Sequence, residues 1–143
     1  MHRSLFGLGL AFMAIPACAQ TNAADNPLSG TWVNDAGSAV TLCLSGTGQL
    51  SGIYQTELGA PDPESEFPLT GWVNGDVLAF SVRFDGFGSI TSWSGQLTED
   101  DKGPFIRTLW HYTKDIPDAE EPEDIWRTIN SGYAIFRPAD ALD

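Results

Sequence analysis

The sequence predicts an all-β protein, an eight-stranded antiparallel up-and-down β-barrel, on three observations. From Leu28 onward, short runs rich in β-branched and aromatic residues alternate with Gly, Asp and Asn, and no sustained helical period appears. Most connections are short enough to join neighbouring strands as antiparallel hairpins. A flat sheet of this kind would leave two edges of unpaired backbone groups, and closing it into a barrel removes them. At this strand number the interior holds side chains or one small ligand.

The first strand is expected at 30–34 and the second at 39–44, separated by the turn residues Asp35-Ala36-Gly37. The third, at 50–56, follows Ser45-Gly46-Thr47-Gly48. The next connection, 57–66, is too long for a turn and carries Gly59, Pro61 and Pro63, which suits a lid over a barrel mouth. Strands at 67–73 and 77–83 flank Asn74-Gly75-Asp76, where Asn-Gly signals a tight type I′ hairpin with positive φ at both central residues. Asp85-Gly86-Phe87-Gly88 leads to a strand at 90–97, and the polar link 99–103 leads to one at 105–113. Before the last strand, at 128–137, the chain crosses Asp115, Asp118, Glu120, Glu121, Glu123 and Asp124 with two prolines, and this reads as a solvated loop.

The N-terminus has the form of a secretory signal: Arg3, an apolar run from Leu5 to Ile15, then Pro16 and the small-residue site Ala17-Cys18-Ala19. Residues 1–19 are read as the signal peptide and 20–143 as one barrel domain, secreted or periplasmic; acylation of Cys18 as a lipoprotein is the alternative processing. No later run is apolar enough to cross a membrane as a helix, so no membrane partner is expected. Seven basic residues stand against nineteen acidic ones, a net charge of −12, which excludes the phosphate neutralisation that a nucleic-acid partner needs. Once Cys18 leaves with the signal, Cys43 stands alone and is expected to be buried and inert, or else bridged to its copy in another subunit. No metal is expected, because two histidines, His2 and His111, and no zinc-type spacing cannot build a centre. No nucleophile with a base stands out, and the acids crowd into loops, so no catalytic residue is assigned and the protein is read as a non-enzyme.

Five tryptophans punctuate the chain, and two strings, Thr91-Ser92-Trp93 and Thr108-Leu109-Trp110, each set a hydroxyl two residues from an indole. On a strand that spacing turns both to one face, as a core layer or as a pocket wall that grips a flat polar molecule. In order, Leu28-Ser29-Gly30-Thr31-Trp32-Val33-Asn34, Gly37-Ser38, Gly52-Ile53-Tyr54, Leu69-Thr70-Gly71, Thr91-Ser92-Trp93-Ser94-Gly95-Gln96, Thr108-Leu109-Trp110 and Trp126 resemble the avidin and streptavidin family along nearly all of the chain beyond the signal. The resemblance implies a streptavidin-like barrel that holds biotin without covalent chemistry and without a cofactor.

Residue by residue, the resemblance puts Asn34, Ser38 and Tyr54 around the ureido oxygen, Thr56 on one ureido N–H and Thr91 on the ring sulfur. It implies an aromatic box of Phe84, Trp93 and Trp110, with Phe84 where the best-known members carry tryptophan. Leu58, Gly59 and Ala60 fall in the lid, which with Ser89 would receive the tail carboxylate, and Tyr112 stands beside the tail. Ala134 occupies the place of the family's Asp or Asn acceptor for the second ureido N–H, with Asn130 a distant substitute on the same strand face. Trp126 matches the tryptophan that closes a neighbouring subunit's site, which implies a homo-oligomer, a tetramer rather than a dimer. Two alternatives remain beside biotin binding by the barrel alone: a pocket for another small heterocycle or a biotinyl peptide, and a barrel-type enzyme inhibitor acting through the acidic loop.

Overall fold

In the computed structural model, which describes residues 26–142, the chain forms a closed barrel in which every strand pairs with its sequence neighbours and the last returns to the first. The strands are β1 (Gly30–Asn34), β2 (Ala39–Leu44), β3 (Gln49–Gln55), β4 (Phe67–Asn74), β5 (Val77–Phe84), β6 (Ser89–Asp100), β7 (Gly103–Lys114) and β8 (Ile129–Pro138), all antiparallel. The signal-peptide reading falls outside the described residues.

Strand alternation decides what fills the barrel. Leu42, Leu44, Leu50, Leu69, Leu78, Phe80, Val82, Ile106 and Phe136 are buried together and plug one end. The other end of the same inward rows carries Asn34, Ser38, Tyr54, Thr56, Ser89, Thr91 and Tyr112, so polarity changes along the barrel axis. Trp32 anchors the entry of the chain: its indole N–H donates to the Leu28 carbonyl at 3.0 Å, and its ring lies in the core. The β1–β8 seam is the shortest pairing, joining Trp32, Val33 and Asn34 to Pro138, Arg137 and Phe136. Beside it Arg137 pairs with Asp100 at 2.7 Å and lies 4.9 Å from the centre of the Phe105 ring, tying β8 to the β6–β7 hairpin.

Four expectations need correction. The β4–β5 turn pairs Asn74 with Val77, so its central residues are Gly75 and Asp76, and Gly75 alone has positive φ, 63°. That is the type II′ pattern, which needs positive φ at the first central residue only, and not type I′. The β6–β7 hairpin runs two to three residues further than its polar sequence suggests, to Asp100 and Gly103, because cross-strand pairing outweighs the weak strand preference of Glu99, Asp100 and Pro104. Within the acidic stretch the chain makes a one-turn helix α1 (Glu121–Asp124), followed by a 3-10 turn at Ile125–Arg127. Pro122 is tolerated there in the first turn, and Arg127 draws Glu120 and Asp124 together; the segment is otherwise as solvated as its charge predicts. Cys43 is buried as expected but is disulfide-bonded, so the expectation of a lone thiol does not hold.

Gly52, opposite Leu42, has a φ of 146°, and a methyl group there would run into the Thr41 carbonyl of the paired strand. Gly52→Ala is therefore expected to destabilise the barrel by about 2 kcal/mol or more. Urea unfolding checks this; an unchanged midpoint and slope would show that the β2–β3 ladder relaxes around the methyl.

Candidate functional site

The polar end of the barrel opens into a cavity of about 830 Å³, within the usual size of a small-molecule site. Its floor is set by local backbone chemistry. Asn34 ends β1 and its carboxamide oxygen accepts the N–H groups of Ala36 (3.1 Å) and Ser38 (2.9 Å), which shapes the β1–β2 turn and leaves the amide NH2 as a donor. Ser38 is buried, donates to the Thr56 hydroxyl at 3.4 Å and accepts from the Glu57 N–H at 3.3 Å. Thr56 in turn accepts the Leu58 N–H at 3.0 Å and donates to the Leu58 carbonyl at 3.1 Å. The Tyr54 hydroxyl meets the Ser38 and Asn34 side chains; burial pushes its pKa up, and those two contacts pull it partly back. Its proton therefore stays on at neutral pH, and it remains a hydrogen-bond donor.

Aromatic rings line the walls. Trp93 is stacked on Phe80 at 5.0 Å and lies 4.8 Å from Tyr54, while Phe84 meets Tyr54 and Phe67 edge-on at 6.0 and 4.9 Å. Trp110, paired with Trp93 across β6–β7, is half-buried and rests over Gly132 of β8, where any side chain would collide with its ring. The Thr91-x-Trp93 string puts both members on the cavity wall. In the second string only Trp110 reaches it, because the Thr108 hydroxyl is spent on the Ala134 carbonyl at 2.9 Å and serves the core.

Of the residues singled out from sequence, Asn34, Tyr54, Thr56, Phe84, Ser89, Thr91, Trp93, Trp110 and Tyr112 share this one cavity, and Leu58, Gly59 and Ala60 form its lid side. Ser38 sits behind the wall, joined to Thr56 and Tyr54. Trp126 does not line the cavity of its own chain; it projects from the 3-10 turn 74% exposed. Ala134 is in the wall with no side-chain acceptor, opposite Thr108, whereas Asn130 lies at the mouth opposite Tyr112. Four residues of strand, roughly 13 Å, separate them, so Asn130 does not replace an acceptor at position 134.

Seven residues of the lining were not assigned to the site from sequence: Asp35, Ala36, Pro61, Phe87, Lys114, Ser131 and Tyr133. Lys114 was legible in principle, two residues beyond Tyr112 on the inward row, but an expected strand end at 113 made it the first residue of a loop. Phe87 sits in a glycine-flanked turn with no period to reveal its direction; it meets Phe67 at 6.1 Å. Among the described residues no cluster of His, Cys, Asp or Glu is arranged to hold a metal ion.

Comparison with known proteins agrees with this architecture. The family model described as the Avidin family matches residues 22–139. Avidin from Gallus gallus is 30% identical over 118 residues, covering 76% of each chain, and afifavidin from Afifella pfennigii is 33% identical over 115 residues, covering 71% of this chain and 72% of that one. The crystal structure of a rhizavidin–biotin complex superposes with a TM-score of 0.64 at 28% identity, covering 76% of this chain and 89% of that one.

Because the Trp110 ring occupies the space above Gly132, Gly132→Ala is expected to rotate the indole and to cost about 1–3 kcal/mol of stability through overpacking. A shifted tryptophan emission maximum with a lowered melting temperature would report this. Unchanged emission would mean that β8 yields instead of the ring.

Proposed function

The chain belongs to the avidin family, whose members catalyse no reaction and need no cofactor, and on that premise we propose that it is a secreted or periplasmic protein that holds biotin non-covalently in the barrel mouth. The observation that carries this reading is the joined set Asn34, Ser38, Tyr54 and Thr56 at the floor of an aromatic-walled cavity. Asn34, Tyr54 and Ser38 meet one ureido oxygen there, the Ser38 hydroxyl turning from Thr56 to the ligand and so freeing a Thr56 lone pair; polarising that oxygen toward an oxyanion makes each bond charge-assisted, roughly twice as strong as a neutral one. Thr56 serves one ureido N–H and Thr91 the ring sulfur. Phe84, Trp93 and Trp110 enclose the bicyclic ring, whose area they remove from water. Leu58, Gly59, Ala60 and Ser89 receive the tail end, with Tyr112 beside it.

Residue 134 sets a limit on affinity. With alanine there, the second ureido N–H has no side-chain acceptor, and a buried N–H left unpaired costs about 1–3 kcal/mol. Phe84 in place of a tryptophan gives up further area, on the order of 1 kcal/mol. Affinity is thus high but below what the same floor would give with a full set of partners.

The proposed homo-oligomer, a tetramer in preference to a dimer, draws support from the exposed apolar side chains Trp126, Ile125 and Ile129 near the mouth and Val77, Leu109 and Tyr133 on the outer face of the sheet. Clustered apolar surface of this kind marks an interaction site. In that assembly Trp126 covers the cavity of a neighbouring copy.

Calorimetric titration of the purified protein with biotin is expected to give one site per chain and a nanomolar or tighter dissociation constant, with a change in tryptophan emission. No heat and no emission change at high biotin would leave a barrel for a different small heterocycle. Ala134→Asp is expected to tighten biotin binding about tenfold by supplying the missing acceptor, at a cost of about 1–3 kcal/mol to the unliganded fold from burying a carboxyl. An affinity that stays the same or falls would refute the proposed orientation of the ureido ring toward β8.

A further inference from the structure

Lys114 is the last residue of β7 and the one basic side chain among the described residues that line the cavity. Strand alternation that turns Trp110 and Tyr112 inward turns Lys114 inward as well. It pairs directly with Ser89, which is buried in the same wall, and directly opposed residues of an antiparallel pair carry their Cβ atoms about 4.5–5.5 Å apart on one face. Its backbone is held on both sides: the Lys114 N–H donates to the Thr128 carbonyl and the Asp115 N–H to the Gly88 carbonyl, each at 2.8 Å. The ammonium group thus moves on a fixed stem over the mouth.

That ammonium is uncommitted. Ion pairs among the described residues engage Arg83, Arg127 and Arg137. Nineteen acidic residues surround seven basic ones, so most cations of this chain have carboxylates to choose from. Asp35 shares the cavity wall and Asp115 follows in sequence, yet neither pairs with Lys114. The overall field of such a chain opposes an anion at the mouth, and a single free cation beside a buried hydroxyl offsets it at one point.

Resting on the biotin reading, we infer that Lys114 is a specificity-determining residue that selects a ligand whose tail ends in a free carboxylate over the same ligand joined through a neutral amide, as in a biotinylated peptide. Ser89 supplies a hydrogen bond that either tail can use. Lys114 supplies a charge that only the free acid answers.

The test is calorimetry of the wild type, Lys114→Met and Lys114→Arg with biotin and with biotin primary amide. The wild type is expected to prefer biotin about fivefold, the scale of a solvent-screened ion pair, and molar salt narrows the preference. Lys114→Met erases it by weakening biotin alone, and Lys114→Arg keeps it. The inference is overturned if Lys114→Met weakens both ligands equally, which would mark a packing role, or leaves the preference intact. Equal binding of both ligands by the wild type sinks this inference and spares the biotin reading, whereas binding of neither sinks both.

Discussion

Everything in this molecule depends on closure of the sheet. Every strand of this barrel pairs on both sides, so no strand lies at an edge, and the side-chain period of two is locked for all eight strands at once. A slip of one residue anywhere would exchange inside for outside along that strand. The closing β1–β8 seam is short, and it falls where Asn34 leaves the sheet to shape the floor of the cavity. Fold integrity and the position of the first polar group at the site are therefore one constraint. The Arg137–Asp100 pair, reaching from β8 to the far hairpin, braces that seam; the guanidinium holds the Asp100 carboxyl below the usual carboxylate range.

The polar floor has two tasks at once. The Asn34 side chain caps a turn through its oxygen and keeps its amide for the cavity; Ser38 bridges the floor to the lid backbone; Thr56 grips both backbone groups of Leu58. None of these is a polar group left stranded in wait for a ligand. Such a floor is preorganised because the fold already needs it, and the entropy of fixing those side chains is spent on folding and not again on binding.

The barrel was legible in sequence because its signals are local: glycine-marked turns, alternation, and strand-favouring residues between them. The cavity floor was legible through family order, and Asn34 and Thr56 prove to have structural work as well, in the β1–β2 turn and at the Leu58 backbone. Boundaries were less legible. Glu99, Asp100 and Pro104 argue locally against strand, and only the long β6–β7 ladder carries them into it. The same misplaced boundary concealed Lys114. Thr108 shows the converse limit: its spacing to Trp110 announces a shared face, but not that its hydroxyl is consumed by the carbonyl of Ala134.

The lid between β3 and β4 is the one long connection bordering the cavity among the described residues, and its first residues are tied down by two floor hydroxyls, Ser38 at Glu57 and Thr56 at Leu58. The walls are paired strands, so the loop at the mouth is the part of the border with the fewest backbone partners to hold it. A change in how readily that loop opens would alter entry and release alike and leave affinity nearly constant. A change in the walls would alter affinity and, with it, the release rate, so only one of the two stretches can tune exchange without touching the strength of binding.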